Sequence, residues 1–122
     1  VDDDRLVDAW LSYAAGCETA EWAMVQLIEE CARDPHHALR LIMELIRRSP
    51  SEAVTGAIAA GPLEWLISVR GADVIDALEA EVKRVPELAS LLSGIYRLNT
   101  PISIWKRIVA LSGRERQMDD PS

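Results

Sequence analysis

The sequence has no phenylalanine, only two cysteines and no apolar run long enough to cross a bilayer. Four Trp and two Tyr are its whole aromatic content, 5 % of the chain, so the alternating aromatic and β-branched runs of a β-sandwich are missing. Cys17 and Cys31 make no disulfide framework, and both are expected as reduced thiols in a core. The longest uncharged stretch, 53–63, is too short for a membrane helix and contains Gly61-Pro62. The opening Val1-Asp2-Asp3-Asp4 has none of the positive charge of a secretory leader. The expected location is cytoplasmic, with no membrane partner.

Catalytic signatures are lacking too. There is no Gly-x-Ser-x-Gly elbow, no Gly-x-Gly cluster opening a helix and no Cys-x-x-Cys pair. His36 and His37 are adjacent, so on a helix they point about 100° apart and cannot share a metal as i, i+4 histidines do. Either one with Cys31 or Glu30 makes a partial zinc set for which no fourth ligand is indicated. Glu64 and Glu79 are the carboxylate pair to weigh for acid–base work. Glu64, two residues after Pro62, is explained by a capping role at a helix start, and Glu79 by a wet face or a pair with Lys83. The expectation is no enzyme, no cofactor and no metal.

What the chain does have is proline in informative places. Five of its six prolines follow a residue suited to ending one helix and starting the next: Asp34-Pro35, Ser49-Pro50, Gly61-Pro62, Val85-Pro86 and Thr100-Pro101. Proline fits the first helical position, where its missing N–H would be unpaired anyway, and it drives the preceding residue out of the α region. With 49 % hydrophobic residues, mostly small aliphatics, the chain reads as all-α: seven or eight short helices packed antiparallel over residues 1–113, with 114–122 a flexible polar tail. A shift of 36 residues lays Ile46 to Pro50 over Val82 to Pro86, which admits HEAT-like helix pairs; a compact irregular bundle is favoured over them.

Spacing assigns faces. Leu6, Trp10, Tyr13 and Ala14 form one apolar stripe of the first helix, which Gly16 stops. The second, from about Thr19 to Arg33, is expected to bury Val25, Ile28 and Ala32 and to leave Glu21, Glu29 and Glu30 wet. The third, Pro35 to Arg48, is apolar on all sides except the stripe Arg40, Glu44, Arg47 and Arg48, and so should be central. Ser49 is expected to cap the fourth helix, whose Ala53, Gly56, Ala57 and Ala60 invite a close neighbour. Gly61-Pro62 should break the chain before a fifth helix that closes at Gly71, and Asp73 should cap a sixth. Leu88, Leu91, Leu92 and Ile95 mark a seventh helix, and Ile102, Trp105, Ile108 and Val109 an eighth.

The run Ala59-Ala60-Gly61-Pro62-Leu63-Glu64-Trp65-Leu66 is followed by Val74-Ile75-Asp76-Ala77-Leu78-Glu79. Later come Leu92-Ser93-Gly94-Ile95-Tyr96 and Trp105-Lys106-Arg107. This ordered set resembles a family of small bacterial all-helical proteins of unknown function, over most of residues 5–111. The resemblance implies a bacterial origin and one helical domain. It carries over no activity and no functional residue.

Charge then narrows the function classes. The net charge is −7, with nine acids against two bases in residues 1–34 and seven bases against two acids in residues 82–118. An acidic chain is a poor general nucleic-acid binder, and it steers a basic protein towards its first half. The leading expectation is a non-catalytic protein-interaction module, of which an antitoxin or immunity protein against a basic partner is one form, with Glu21, Glu29 and Glu30 as candidate contacts. In the fifth helix Trp65 and Val69 lie off the main apolar stripe: they are either a second buried face, which is preferred, or an exposed partner patch. The alternative class is nucleic-acid binding through the basic last third, with Lys106 and Arg107 leading and Lys83, Arg84, Arg97, Arg114 and Arg116 behind them.

Overall fold

Three helix starts in the described chain are set by short side-chain acceptors, Asp2, Asp34 and Ser51. In α1 (Asp3–Ala14) the Asp2 carboxylate accepts the Arg5 amide at 2.8 Å. Gly16, at φ +108°, turns the chain after it, a conformation that glycine adopts without cost. A 3₁₀ turn (Glu18–Ala20) leads into α2 (Glu21–Arg33). Asp34 then caps α3 (Pro35–Arg48) by accepting the His37 amide, with Pro35 at the first helical position. The computed structural model describes residues 2–113; the expected polar tail, 114–122, lies outside the described residues, as do Arg114 and Arg116.

The next helix departs from expectation. Ser51, not Ser49, caps α4 (Glu52–Ile58) through the Val54 amide, so Pro50 sits before the cap rather than inside it. Gly61-Pro62 does not break the chain. Residues Ala59–Leu63 form a π turn that runs straight into α5 (Glu64–Arg84). The wider turn takes up the proline: the amide of Glu64 reaches back five residues to the Ala59 carbonyl. Helix α5 is interrupted at Arg70, whose φ −138° and ψ 27° are not helical, so two helical segments meet at a kink one residue before the expected stop at Gly71. Gly71 serves packing, since a Cβ on it would stand 3.1 Å from the Ile104 side chain. Asp73 caps nothing; its carboxylate accepts from Arg70 at 2.7 Å. With α6 (Glu87–Leu92) and α7 (Ile102–Ser112), and with α4, the π turn and α5 taken as one run, the described residues form six helices and no strand, fewer than the seven or eight expected.

One apolar core joins them. Helix α3 lies at its centre, against α1, α2, α4 and α5, as its near-continuous apolar surface predicts. Helix α2 turns a different face inward than its spacing suggested. Ala23, Leu27, Glu30 and Cys31 are buried, whereas Val25, Ile28 and Ala32 are exposed. Helices α1, α3 and α5 all pack against α2, and together they leave the side chains of Val25, Ile28 and Ala32 uncovered. The small residues of α4 and the π turn (Ala53, Gly56, Ala57 and Ala60) also face out, while Val54, Ile58 and Ala59 pack inward. Cys31 is buried but Cys17 is exposed, and Ile102 lies outside while Trp105, Ile108 and Val109 fill the core. No described helix is long and apolar enough to cross a membrane.

Candidate functional site

Two kinds of side chain gather around α2. Along one edge runs a polar seam. Glu30, expected to be wet, is only 5 % exposed. It accepts from Arg33 of its own helix and from Nδ1 of His37, which faces it across the Asp34-Pro35 junction. The other ring nitrogen, Nε2, meets Asp3 of α1 at 2.9 Å. A ring with a carboxylate on each nitrogen is favoured as the imidazolium, donating at both. Its pKa is accordingly held above the ordinary histidine value, first by the bond to Glu30 and next by Asp3, with partial burial opposing. Arg48 extends the seam, gripping Asp4 and Asp8 of α1 and Glu44 of its own helix. Beside it the Cys31 thiol is pushed up to about 12 by burial and by the Glu30 charge, so it stays protonated and inert. Among the described residues no group of three or more His, Cys, Asp or Glu side chains is placed to hold a metal ion. The seam ties three helices together.

The opposite edge of α2 is apolar and uncovered. Val25 is 45 % exposed and Ile28 39 %, with Ala32 one turn further on. Across from them α5 shows Trp65 at 39 % exposed, Val69 at 37 %, and Ala72, spaced i, i+4, i+7 on one face. The buried reading of Trp65 and Val69 is thus overturned. Both stay open because the main stripe of α5, through Leu66 and Ile67, already spends its contacts on the core. The two helices are locked at this level by Arg70, whose guanidinium donates to the Ala32 carbonyl.

Between the two stripes lies a groove of about 300 Å³. Trp10 and Leu27 form its floor, Met24 and Ile28 one wall, and Pro62 and Trp65 the other. The π turn builds that second wall, with Ala60 and Gly61 leaving it open. A Leu98 side chain closes the rim because its loop is pinned down on either side. The Tyr96 amide donates to Glu64 Oε1 at 2.5 Å and the Asn99 amide to Ser68 Oγ at 3.1 Å. With those backbone groups turned inward, Tyr96 and Leu98 project outward and are exposed. At the far end of α2, Trp22 is also exposed, with the Arg5 guanidinium 5.8 Å from its ring centre.

The remaining candidates fall into place around these two edges. Glu21 and Glu29 are exposed on α2 beside the apolar stripe and have no ion-pair partner among the described residues; Glu30 is sequestered in the seam and is unavailable to a partner. Lys106 is exposed, but Arg107 is drawn to Glu79 and Asp76 of α5, which also replaces the expected pairing of Glu79 with Lys83. Glu64 and Glu79 therefore answer to separate partners, the Tyr96 amide and Arg107, and form no dyad. A wider cleft of about 460 Å³ between α3 and the end of α5 contains His36, Arg40, Arg47 and Arg84. Two of those arginines are already neutralised within their own helices by Glu44 and Glu81.

The chain belongs to DUF6869, described as a family of unknown function, whose model matches residues 13–116. No curated protein and no solved structure matches it.

Proposed function

We propose that this chain is a non-catalytic protein-interaction module that receives a basic protein on its α2/α5 face. The observation that carries the reading is the pair of exposed apolar stripes flanking one groove on an otherwise acidic molecule. Val25, Ile28, Trp65, Val69 and Leu98 are all at least a third exposed on adjoining elements. A lone exposed leucine is ordinary, but an apolar patch that includes an exposed tryptophan is the usual mark of a docking surface. Glu21 and Glu29 border the patch, and the net charge of −7 favours a cationic partner by steering. An antitoxin or immunity protein is the special case in which that partner is a toxin, supported by size and charge. The neutralised Arg107 and Arg84 make the nucleic-acid reading the weaker one.

A photo-reactive residue placed at Val69, with a second at Gly56 as the control on another exposed face, tests this in native extract. Adducts with a basic protein at position 69 alone, lost on Trp65→Ala, are the expected result. Equal labelling at both positions, or none at 69, overturns the reading.

A further inference from the structure

Every residue lining the groove is apolar except Glu64. Its Oε1 accepts the Tyr96 amide, but no described residue donates to Oε2, and the side chain is half-buried in the wall beside Trp65. An apolar occupant would cover that oxygen without offering a donor, which costs the desolvation of a charged carboxylate. A second copy of this chain would bring its own Glu21 and Glu29 against those already there, and like charges repel across an interface.

Resting on the interaction-module reading, we infer that the groove is a receptor for a lysine or arginine side chain carried on the apolar face of a partner helix. The alkyl stem lies along Met24 and Ile28, and the cationic head reaches Glu64 Oε2 beside the indoles of Trp10 and Trp65. Long basic side chains suit this division between apolar stem and charged head. Tryptophan is the ring that attracts cations best. Gly61 keeps the entrance clear: a Cβ there would meet nothing within 4 Å. The flanking stripes, Val25 with Ile28 and Trp65 with Val69, take the neighbouring apolar residues of that helix, one turn to either side of the basic anchor.

The test uses the full chain and two short amphipathic helical peptides, identical except that one has a lysine and the other a norleucine at the centre of its leucine face. Titrations are followed by the indole N–H signals of Trp10 and Trp65 and the amide of Gly61. The lysine peptide should move all three and bind about ten-fold tighter than its twin, the worth of one charge-assisted hydrogen bond. Glu64→Gln should erase that difference while keeping an acceptor for the Tyr96 amide, so an unchanged melting temperature accompanies it. If norleucine binds as well as lysine, or if Glu64→Gln changes nothing, the cation assignment falls and the interaction-module reading stands. If neither peptide moves the three signals, the groove is no receptor of this kind, and an empty crosslink at position 69 then removes the module reading as well. A dimer in sedimentation that Trp65→Ala dissociates makes a second copy the occupant and overturns the inference.

Discussion

Helix α2 obeys opposite rules on its two edges. On the seam edge a carboxylate is buried, and every group around it has a partner: Glu30 with His37 and Arg33, His37 with Asp3. On the groove edge apolar side chains are exposed, and nothing in the described chain covers them. Hydrophobicity alone would have placed these groups the other way round. A buried charge survives only where its partners are built in, so the seam is a structural joint. An exposed apolar stripe survives only where solvent contact is tolerable or temporary, so the groove edge is the surface on which the proposed interaction rests.

The strongest way to break this comparison is to truncate two tryptophans of the same groove. Trp10 is its floor, nearly fully buried; Trp65 is a wall, open to water. Trp10→Ala leaves a cavity and should cost about 3–5 kcal/mol, a large share of the stability of a domain this size. Trp65→Ala leaves no enclosed cavity and should cost about 1–2 kcal/mol from lost partial burial. Urea titrations of both variants measure the contrast. Equal losses would mean that Trp65 belongs to the core and that the groove edge is not a free surface.

The seam gives the next largest effect, and its sign depends on pH. His37→Ala leaves Glu30 buried with Arg33 alone, and should cost about 1–3 kcal/mol below neutrality. In the folded chain His37 binds its proton more tightly than the ordinary value of 6.5. A raised folded pKa means that the contribution is complete below 6.5 and fades as pH rises through the folded value. The urea midpoint of the parent should therefore decline above 6.5, and that of His37→Gln should decline less. Parallel curves for the two proteins would show that the seam does not stabilise through the imidazolium. Asp34 has the opposite sign. The His37 amide, first, holds its carboxyl below the ordinary 3.8, so the cap weakens only as the pH falls through that lower range.

Much of this fold was legible in the sequence, and the misreadings have physical causes. Helix α3 is legible with its bounds and its central position, because Asp34-Pro35 is a strong start and only one stripe of the helix is polar. Apolar spacing points to the wrong phase for α2 because Val25 and Ile28 are larger and more apolar than Ala23, yet they are the exposed ones. The signal that would have corrected it is Glu30 itself: it shares a stripe with Ala23 and Leu27 at i, i+4, i+7, and it faces His37 across the junction. Pro62 reads as a break because proline usually is one, and a π turn that absorbs it leaves no mark in apolar spacing. The stripe of Trp65 and Val69 is separable from the core stripe by spacing, but spacing carries no information on whether a neighbour covers it. Leu98 and the role of Glu64 at the groove depend on contacts between residues more than thirty apart, where no local pattern reaches.

The smallest expected effect sharpens the comparison from a third surface. The small residues of α4 face outward, and an ideal Cβ added at Gly56 meets nothing within 4 Å. If this face is plain solvated surface, Gly56→Ala should stabilise the chain by about 0.5–1 kcal/mol. Alanine loses less backbone freedom than glycine when a helix forms, and no positive φ stands in its way here. The same methyl would obstruct any helix that packs closely on Ala53, Gly56 and Ala57, so a hidden contact there would reverse the sign or weaken self-association. Thermal melting beside sedimentation of Gly56→Ala separates the two outcomes. A higher melting temperature with unchanged mass leaves the α2/α5 edge as the apolar surface in want of a partner. A lower one would place a second interface on α4, and the small residues would then be there for the close approach that their spacing first suggested.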